Sequence, residues 1–351
     1  MPTPVSKNAG QIPTSLASPG AARFWLAVCL IGASTGLAAA ALTRLLEVVQ
    51  RAAWNGSGTN ILEAARQDSA LRHIAVLLAA GILTGVGQVL LKQVSSGNGI
   101  DTTAAIWFYA GRMPALRTLG SALLSIFAVG MGASMGREGA PKQAGAVFAN
   151  LFADAETLSD EQRRLLVACG AGAGMVAAYG VPLGGALFAL EVMRGKLALR
   201  FVLPALFASL IATGVSWVAL PDAPTYIIPS FPLSASVILW VIVAAPIFAF
   251  AAILYVRLVR WADKHKPRGW QRFIAPAVAL GLVGLVSVRF PKILGNGKDL
   301  SQLLFTDQVG VRLVMALLFL KPLATIICMR SHRIVIGFFT CVLRQFSLLG
   351  R

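Results

Sequence analysis

The sequence predicts an all-α protein, a polytopic bundle of transmembrane helices, and three observations predict it. The composition is the first: 57% of residues are hydrophobic, 13% are charged and the mean hydropathy is +0.74, where an ordinary soluble domain has about 25% charged residues. The second is that long apolar stretches recur, among them "FWLAVCLIGASTGLAAAAL" (24–42), "IAVLLAAGILTGVGQVLL" (74–91), "FVLPALFASLIATGVSWVAL" (201–220) and "LSASVILWVIVAAPIFAFAAILYV" (233–256). Each approaches or exceeds the roughly 18–25 residues of a spanning helix. The third is that none of these stretches alternates apolar and polar residues over segments of about 10, as the strands of a transmembrane barrel do.

The chain opens polar and Pro-rich, "MPTPVSKNAGQIPTSLASPG", so residues 1–22 are expected to be a disordered tail. It leads into a span too long for the core of a signal peptide. Apolar runs set against turn signals place spans near 24–48, 73–93, 115–133, 163–178, 183–195, 200–220, 233–260, 271–289 and 309–329. Several are short or broken by Gly and Pro, as expected of helices that stop partway across. Two breaks divide them: the Pro-rich "LPDAPTYIIPSFP" (220–232) and the basic "RLVRWADKHKPRGWQR" (257–272). A second section therefore restarts near residue 233, an organisation that suits transporters made of two inverted repeats. Gly32 with Gly36, and Gly81 with Gly85, give the GxxxG spacing that permits close helix packing.

A formal charge of +17 would point to nucleic acid in a soluble protein. Here Lys and Arg stand singly or in pairs between apolar runs, and no basic run with interleaved aromatics exists, so nucleic-acid binding is not expected. Two readings of the charge stay open: anchoring of helix ends to headgroups, and attraction of anions. Cys29, Cys169, Cys328 and Cys341 are far apart, without CxxC spacing, and read as lipid-facing or core thiols. No two of His73, His265 and His332 fall within one helical turn, so no zinc set is present. HExxH, GxSxG and Walker patterns are absent, and neither an enzyme nor a cofactor is expected.

Of the 14 acidic residues, Glu138 and Glu191 fall in apolar surroundings. A charge at mid-membrane costs about 2.5–3.5 kcal/mol on insertion scales and normally faces the bundle interior. In "GREGAPKQAG" (136–145), Gly136 and Gly139 bracket Glu138, and Pro141 suits the first turn of a helix running through "KQAGAVFANLF". A helix start exposes unpaired N–H groups and carries about half a positive charge, which attracts anions. The Glu138 carboxylate is expected there, as a gate competing with the anion. The alternative is an ion pair with Lys142, four residues on, or with Arg137. A second Gly-rich helix start, "SSGNGIDTTAAIWF" (95–108), offers Asn98 as an amide donor.

"GNGID" (97–101), "GREGAPKQAG" (136–145) and "GAGAGMVAAYGVPLGGALFALEVM" (170–193) together resemble the first three signature regions of the CLC family of chloride channels and proton-coupled chloride antiporters, in order and at similar separations. "FPKILGNGKDLSQLLF" and "LFLKPLATIICMRS" continue the likeness to about residue 331. The resemblance implies inverted repeats, with a first repeat over 23–220 and an incomplete second over 233–331. It further implies one pore per subunit, a homodimer, and residence in the plasma (inner) membrane of a bacterium. Carried over by position, Glu138 is the gating glutamate, Arg137, Glu138 and Gly139 line the outer anion site, and Asn98, Gly99 and Ile100 the central one. Phe338 and Phe339, in "GFFTC", fall where the family contributes further anion contacts.

The departures bear on mechanism. Val192 stands where antiporters carry a second, proton-passing glutamate, so channel-like chloride conduction is expected, with Glu191 a buried structural carboxylate. Asn98 replaces Ser, which opens the alternative of a fluoride/proton antiporter. Asp101 replaces Pro, and Lys142 replaces an apolar residue. After Ser331 the text "HRIVIGFFTCVLRQFSLLGR" leaves the family pattern, so 332–351 is expected to be an aberrant tail arising from truncation or a shifted frame. A non-transporting membrane fragment is the remaining alternative.

Overall fold

The structure is a computed structural model and describes residues 20–331 except 56–60, 96–100, 157, 195–198, 231, 233 and 307–308. Its regular elements among these residues are all helical: α1 (Ala21–Ala53), α2 (Ile61–Gln67), α3 (Ala70–Val94), α4 (Thr102–Phe108), α5 (Ala115–Gly130), α6 (Gly139–Ala155), α7 (Asp160–Ala177), α8 (Pro182–Leu187), a π-helical turn (Phe188–Arg194), α9 (Leu199–Ser216), α10 (Ala235–Lys264), α11 (Gln271–Arg289), a 3₁₀ turn (Pro291–Ile293), α12 (Lys298–Phe305) and α13 (Val311–Ser331). Among the described residues, α1, α3, α10, α11 and α13 are long and apolar enough to cross a membrane, and α5 and α9 are shorter apolar helices. The expected spans fall on helices, but those near 163–178 and 183–195 lie on α7 and on α8 with its π-helical turn, which are not long and apolar enough to cross a membrane. The basic break at 257–272 is half helix, because α10 continues through Lys264 before His265 caps it.

Side chains of Ser69, Ser159 and Ser234 accept from N–H groups in the first turns of α3, α7 and α10, and Ser159 with Gln162 completes a capping box. Small residues then let the helices approach. A Cβ added at Gly81 would lie 2.5 Å from Ala277 Cα and Pro276 O, so α3 seats directly on the α11 backbone. One added at Gly32 would lie 2.9 Å from Ala208 O, fixing α1 against α9. Both GxxxG pairs are thus contact points. Gly145 and Gly170 meet backbone to backbone where α6 crosses α7, and Gly174 meets Pro141 O.

The buried residues form two main clusters. One joins α1, α4, α6, α7, α8 and α9. The other joins the second half of α1 to α2, α3, α5, α11, α12 and α13. Helix α6 lies between them: Ala146, Val147 and Ala149 belong to the first, Ala140 and Ala144 to the second. The start of α6, where Glu138 sits, is therefore held by both.

Candidate functional site

The turn from α5 into α6 is tied down on three sides. Gly132 has φ 109°, in the region that disfavours a Cβ, and its carbonyl accepts from Gly295 N–H at 3.1 Å. Ser134 Oγ is 3.3 Å from Thr325 Oγ1 on α13. The Lys321 ammonium donates to the carbonyls of Ile293, Leu294 and Gly295 at 2.8, 3.0 and 2.7 Å. Lys321 thereby fastens the 293–295 loop, which in turn holds the turn before α6.

Glu138 is the residue before the first turn of α6, with φ −68° and ψ −24°. The first intrahelical bond runs from Lys142 N–H to Glu138 O at 3.3 Å. Gly139 and Ala140 supply the N–H groups ahead of it, and Pro141 has none. The Glu138 side chain makes no capping hydrogen bond to α6, so the expected position of the carboxylate, on the helix-start N–H groups, is corrected. It folds back over Gly136, where an added Cβ would meet its Oε2, and its Oε1 accepts from the Tyr179 hydroxyl at 2.5 Å. The pull of the helix start is matched here by a phenol from another element.

Tyr179 comes from the turn between α7 and α8. Its N–H and that of Gly180 both donate to Val176 O at 2.9 Å, and Gly180 has φ 68°. Ser216 Oγ, fully buried, donates to Ala177 O at 2.9 Å, and Thr225 donates to Tyr179 O at 3.3 Å. The Arg137 guanidinium lies over the Tyr179 ring, 5.1 Å from its centroid. Arg137 Nε is buried with no hydrogen-bond partner among the described residues. Lys142, one turn into α6, is 3% exposed.

Lys298 and Asp299, at the start of α12, lie within electrostatic reach of Arg137. Burial lowers the proton affinity of Lys298, and the neighbouring Arg137 charge lowers it further. Burial raises the Asp299 carboxyl, against the opposing pull of Lys298 and Arg137. Arg137 and Lys298 thus place two cationic side chains near the start of α6, which favours an anion there.

The second helix start is present, but Asp101 caps it: Asp101 Oδ2 accepts from Thr103 N–H at 3.2 Å. A carboxylate already occupies a first-turn donor of α4 that sequence reading left open. Asn98, Gly99 and Ile100 lie outside the described residues, as do Phe338, Phe339 and Cys341. Arg137, Glu138 and Gly139 are brought together with Tyr179, which sequence reading missed. Its signal was faint, a lone hydroxyl-bearing ring in a Gly/Ala-rich stretch. Glu191 is exposed, on the π-helical turn, which corrects the buried carboxylate expected there. Cys29 is exposed, and Cys169 and Cys328 are buried. Among the described residues no group of three or more His, Cys, Asp or Glu could hold a metal ion.

Comparison with known proteins places the family and the fold. The family described as "Voltage gated chloride channel" matches residues 75–351. A curated relative, "Putative chloride channel protein ClcB-like" of Ralstonia nicotianae, is 29% identical over 280 residues, 76% of this chain and 64% of the relative. The chain spans as little as 41% of the length of another curated relative. A solved structure titled as a slow cyanobacterial Cl⁻/H⁺ antiporter superposes with TM-score 0.74 at 19% identity, over 93% of this chain and 80% of that one. A structure titled as a CLC-type fluoride/proton antiporter gives 0.68 at 20% identity, over 91% and 77%.

Proposed function

The chain belongs to the voltage-gated chloride channel family, and from that premise we propose that it carries an anion pathway across a membrane in which Glu138 is the gate. Its fold is an all-α, multi-spanning membrane bundle resembling the CLC fold. We assign 23–220 to a first repeat and 233–331 to an incomplete second one, and take the assembly to be a homodimer. One observation carries the reading: α6 begins beside a carboxylate that makes no capping hydrogen bond to it and has another donor to rest on. An anion at the helix start and the Glu138 carboxylate there exclude each other. Arg137 and Gly139 belong to that outer position, and Asn98, Gly99 and Ile100, with Phe338 and Phe339, to a deeper one.

The experiment is anion efflux from liposomes across the acid-to-neutral range. Glu138→Gln keeps the shape and removes the charge, so its flux should lose the pH dependence of the parent. An unchanged pH dependence would remove Glu138 from the gate and leave its bond to Tyr179 a structural one.

A second reading, proton-coupled exchange of chloride or fluoride, is favoured by one observation: both superposed structures carry antiporter titles. Against it stands Val192 in place of the second glutamate. An imposed anion gradient decides. Uphill proton movement in the same vesicles establishes exchange and brings Glu191 into the relay, whereas anion flux without it establishes conduction.

A further inference from the structure

We propose that Tyr179 is a parking post for the gate: its hydroxyl competes with the start of α6 for the ionised Glu138 carboxylate, so that a share of the pathways is open at neutral pH and protonation of the glutamate opens the rest. The proposal rests on the reading of Glu138 as the gate and adds the residue that sets its resting position.

Three observations meet at one point. The Glu138 carboxylate makes no capping bond to α6, although a helix start is the natural seat for a negative charge. It accepts instead from Tyr179, at 2.5 Å, and a phenol bonded to a carboxylate is among the stronger hydrogen bonds of proteins. The space it needs exists only because residue 136 is glycine.

The post is stiff. Ser216 anchors the end of α7 beneath it, Thr225 holds the Tyr179 carbonyl, and the Arg137 guanidinium covers the ring. Tyr179 thus acts through Glu138 as a positioning residue and needs no contact with the anion. The other charged groups around the pair are Arg137 and Lys142 from its own segment and helix, and Lys298 and Asp299 from α12. Glu47 on α1, Glu63 on α2 and Lys321 on α13 interact in turn with Lys298 and Asp299. All remain when the phenol hydroxyl is deleted, so the hydroxyl is separable from the field.

Without the hydroxyl the ionised carboxylate has no donor among the described residues at its parked position and falls back on the N–H groups of Gly139 and Ala140. Tyr179→Phe should lower anion flux at neutral pH about tenfold or more and steepen the shallow acid activation of the parent, since protonation then becomes the only way to clear the helix start. Adding Glu138→Gln should restore the flux of the single Glu138→Gln protein. A Tyr179→Phe profile matching the parent overturns the proposal. So does a loss of flux equal at every pH and persisting with Glu138→Gln, which marks a packing role. If Glu138→Gln alone changes nothing, the gate reading itself fails. The contact is then read without flux, from the ionised-carboxylate band in infrared difference spectra against Glu138→Gln. A shift of that band in Tyr179→Phe upholds the contact, and an unmoved band overturns it.

Discussion

Gly136→Ala is the smallest change that should move the gate. A Cβ at this position would meet Glu138 Oε2, and would stand 3.2 Å from Cδ and 3.7 Å from Oε1. The obstacle is the far end of a flexible side chain, so the carboxylate gives way rather than the backbone. Restoring ordinary contact at about 3.5 Å requires a displacement of about 1 Å or more, which a bond of 2.5 Å to a pinned tyrosine cannot absorb. A hydrogen bond to a charged group contributes about 1.5–3 kcal/mol, equivalent to about a 10- to 150-fold change in the balance between the parked position and the helix start. Gly136→Ala should therefore reduce neutral-pH anion efflux from liposomes by about that factor and leave efflux at acid pH near the parent value. In a Glu138→Gln background the same change should do little. A Gly136→Ala protein with the parent's efflux at every pH would refute the placement of the carboxylate over Gly136. An equal loss in both backgrounds would show that the backbone had moved instead.

Two further predictions concern the frame that holds the site. Gly81→Leu drives a side chain into Ala277 and Pro276 O, and such overpacking costs about 1–3 kcal/mol; thermal unfolding in detergent should fall by several degrees, whereas Gly281→Ala, whose nearest neighbour is Leu78 at 3.6 Å, should match the parent. Lys321→Met removes the donor to three carbonyls of the 293–295 loop and should lower stability by about 3 kcal/mol, with proteolysis near residue 295 as the local readout; an unaltered cleavage pattern would mean that the loop is held by other contacts.

The spans were legible because an apolar run long enough to cross a bilayer is written in consecutive residues. The extension of α10 through Lys264 was not, since Arg257, Arg260 and Lys264 read as a loop while their backbone continued the helix. Helices α2 and α12 are too short for any hydropathy signal. At the site, the glycines around Glu138 and the proline after it announced a helix start, and the structure has one there. The resting place of the carboxylate could not be read. Tyr179 is 41 residues away along the chain, and its approach depends on the glycine crossing of α6 with α7 and on Ser216 beneath the turn. Asp101 is the converse case: an Asp before Thr-Thr is a capping signal in plain view, eclipsed by the expectation of a vacant helix start.

The central claim is that an anion and the Glu138 carboxylate compete for the start of α6, and bromide localises that competition directly. Anomalous diffraction from bromide-soaked crystals of the parent, Tyr179→Phe and Glu138→Gln proteins should show a peak beside the Gly139 and Ala140 N–H groups in Glu138→Gln. The peak should persist in the parent, where the carboxylate is parked, and vanish at neutral pH in Tyr179→Phe. A peak of equal height at that position in all three proteins, or none in any of them, would contradict the account.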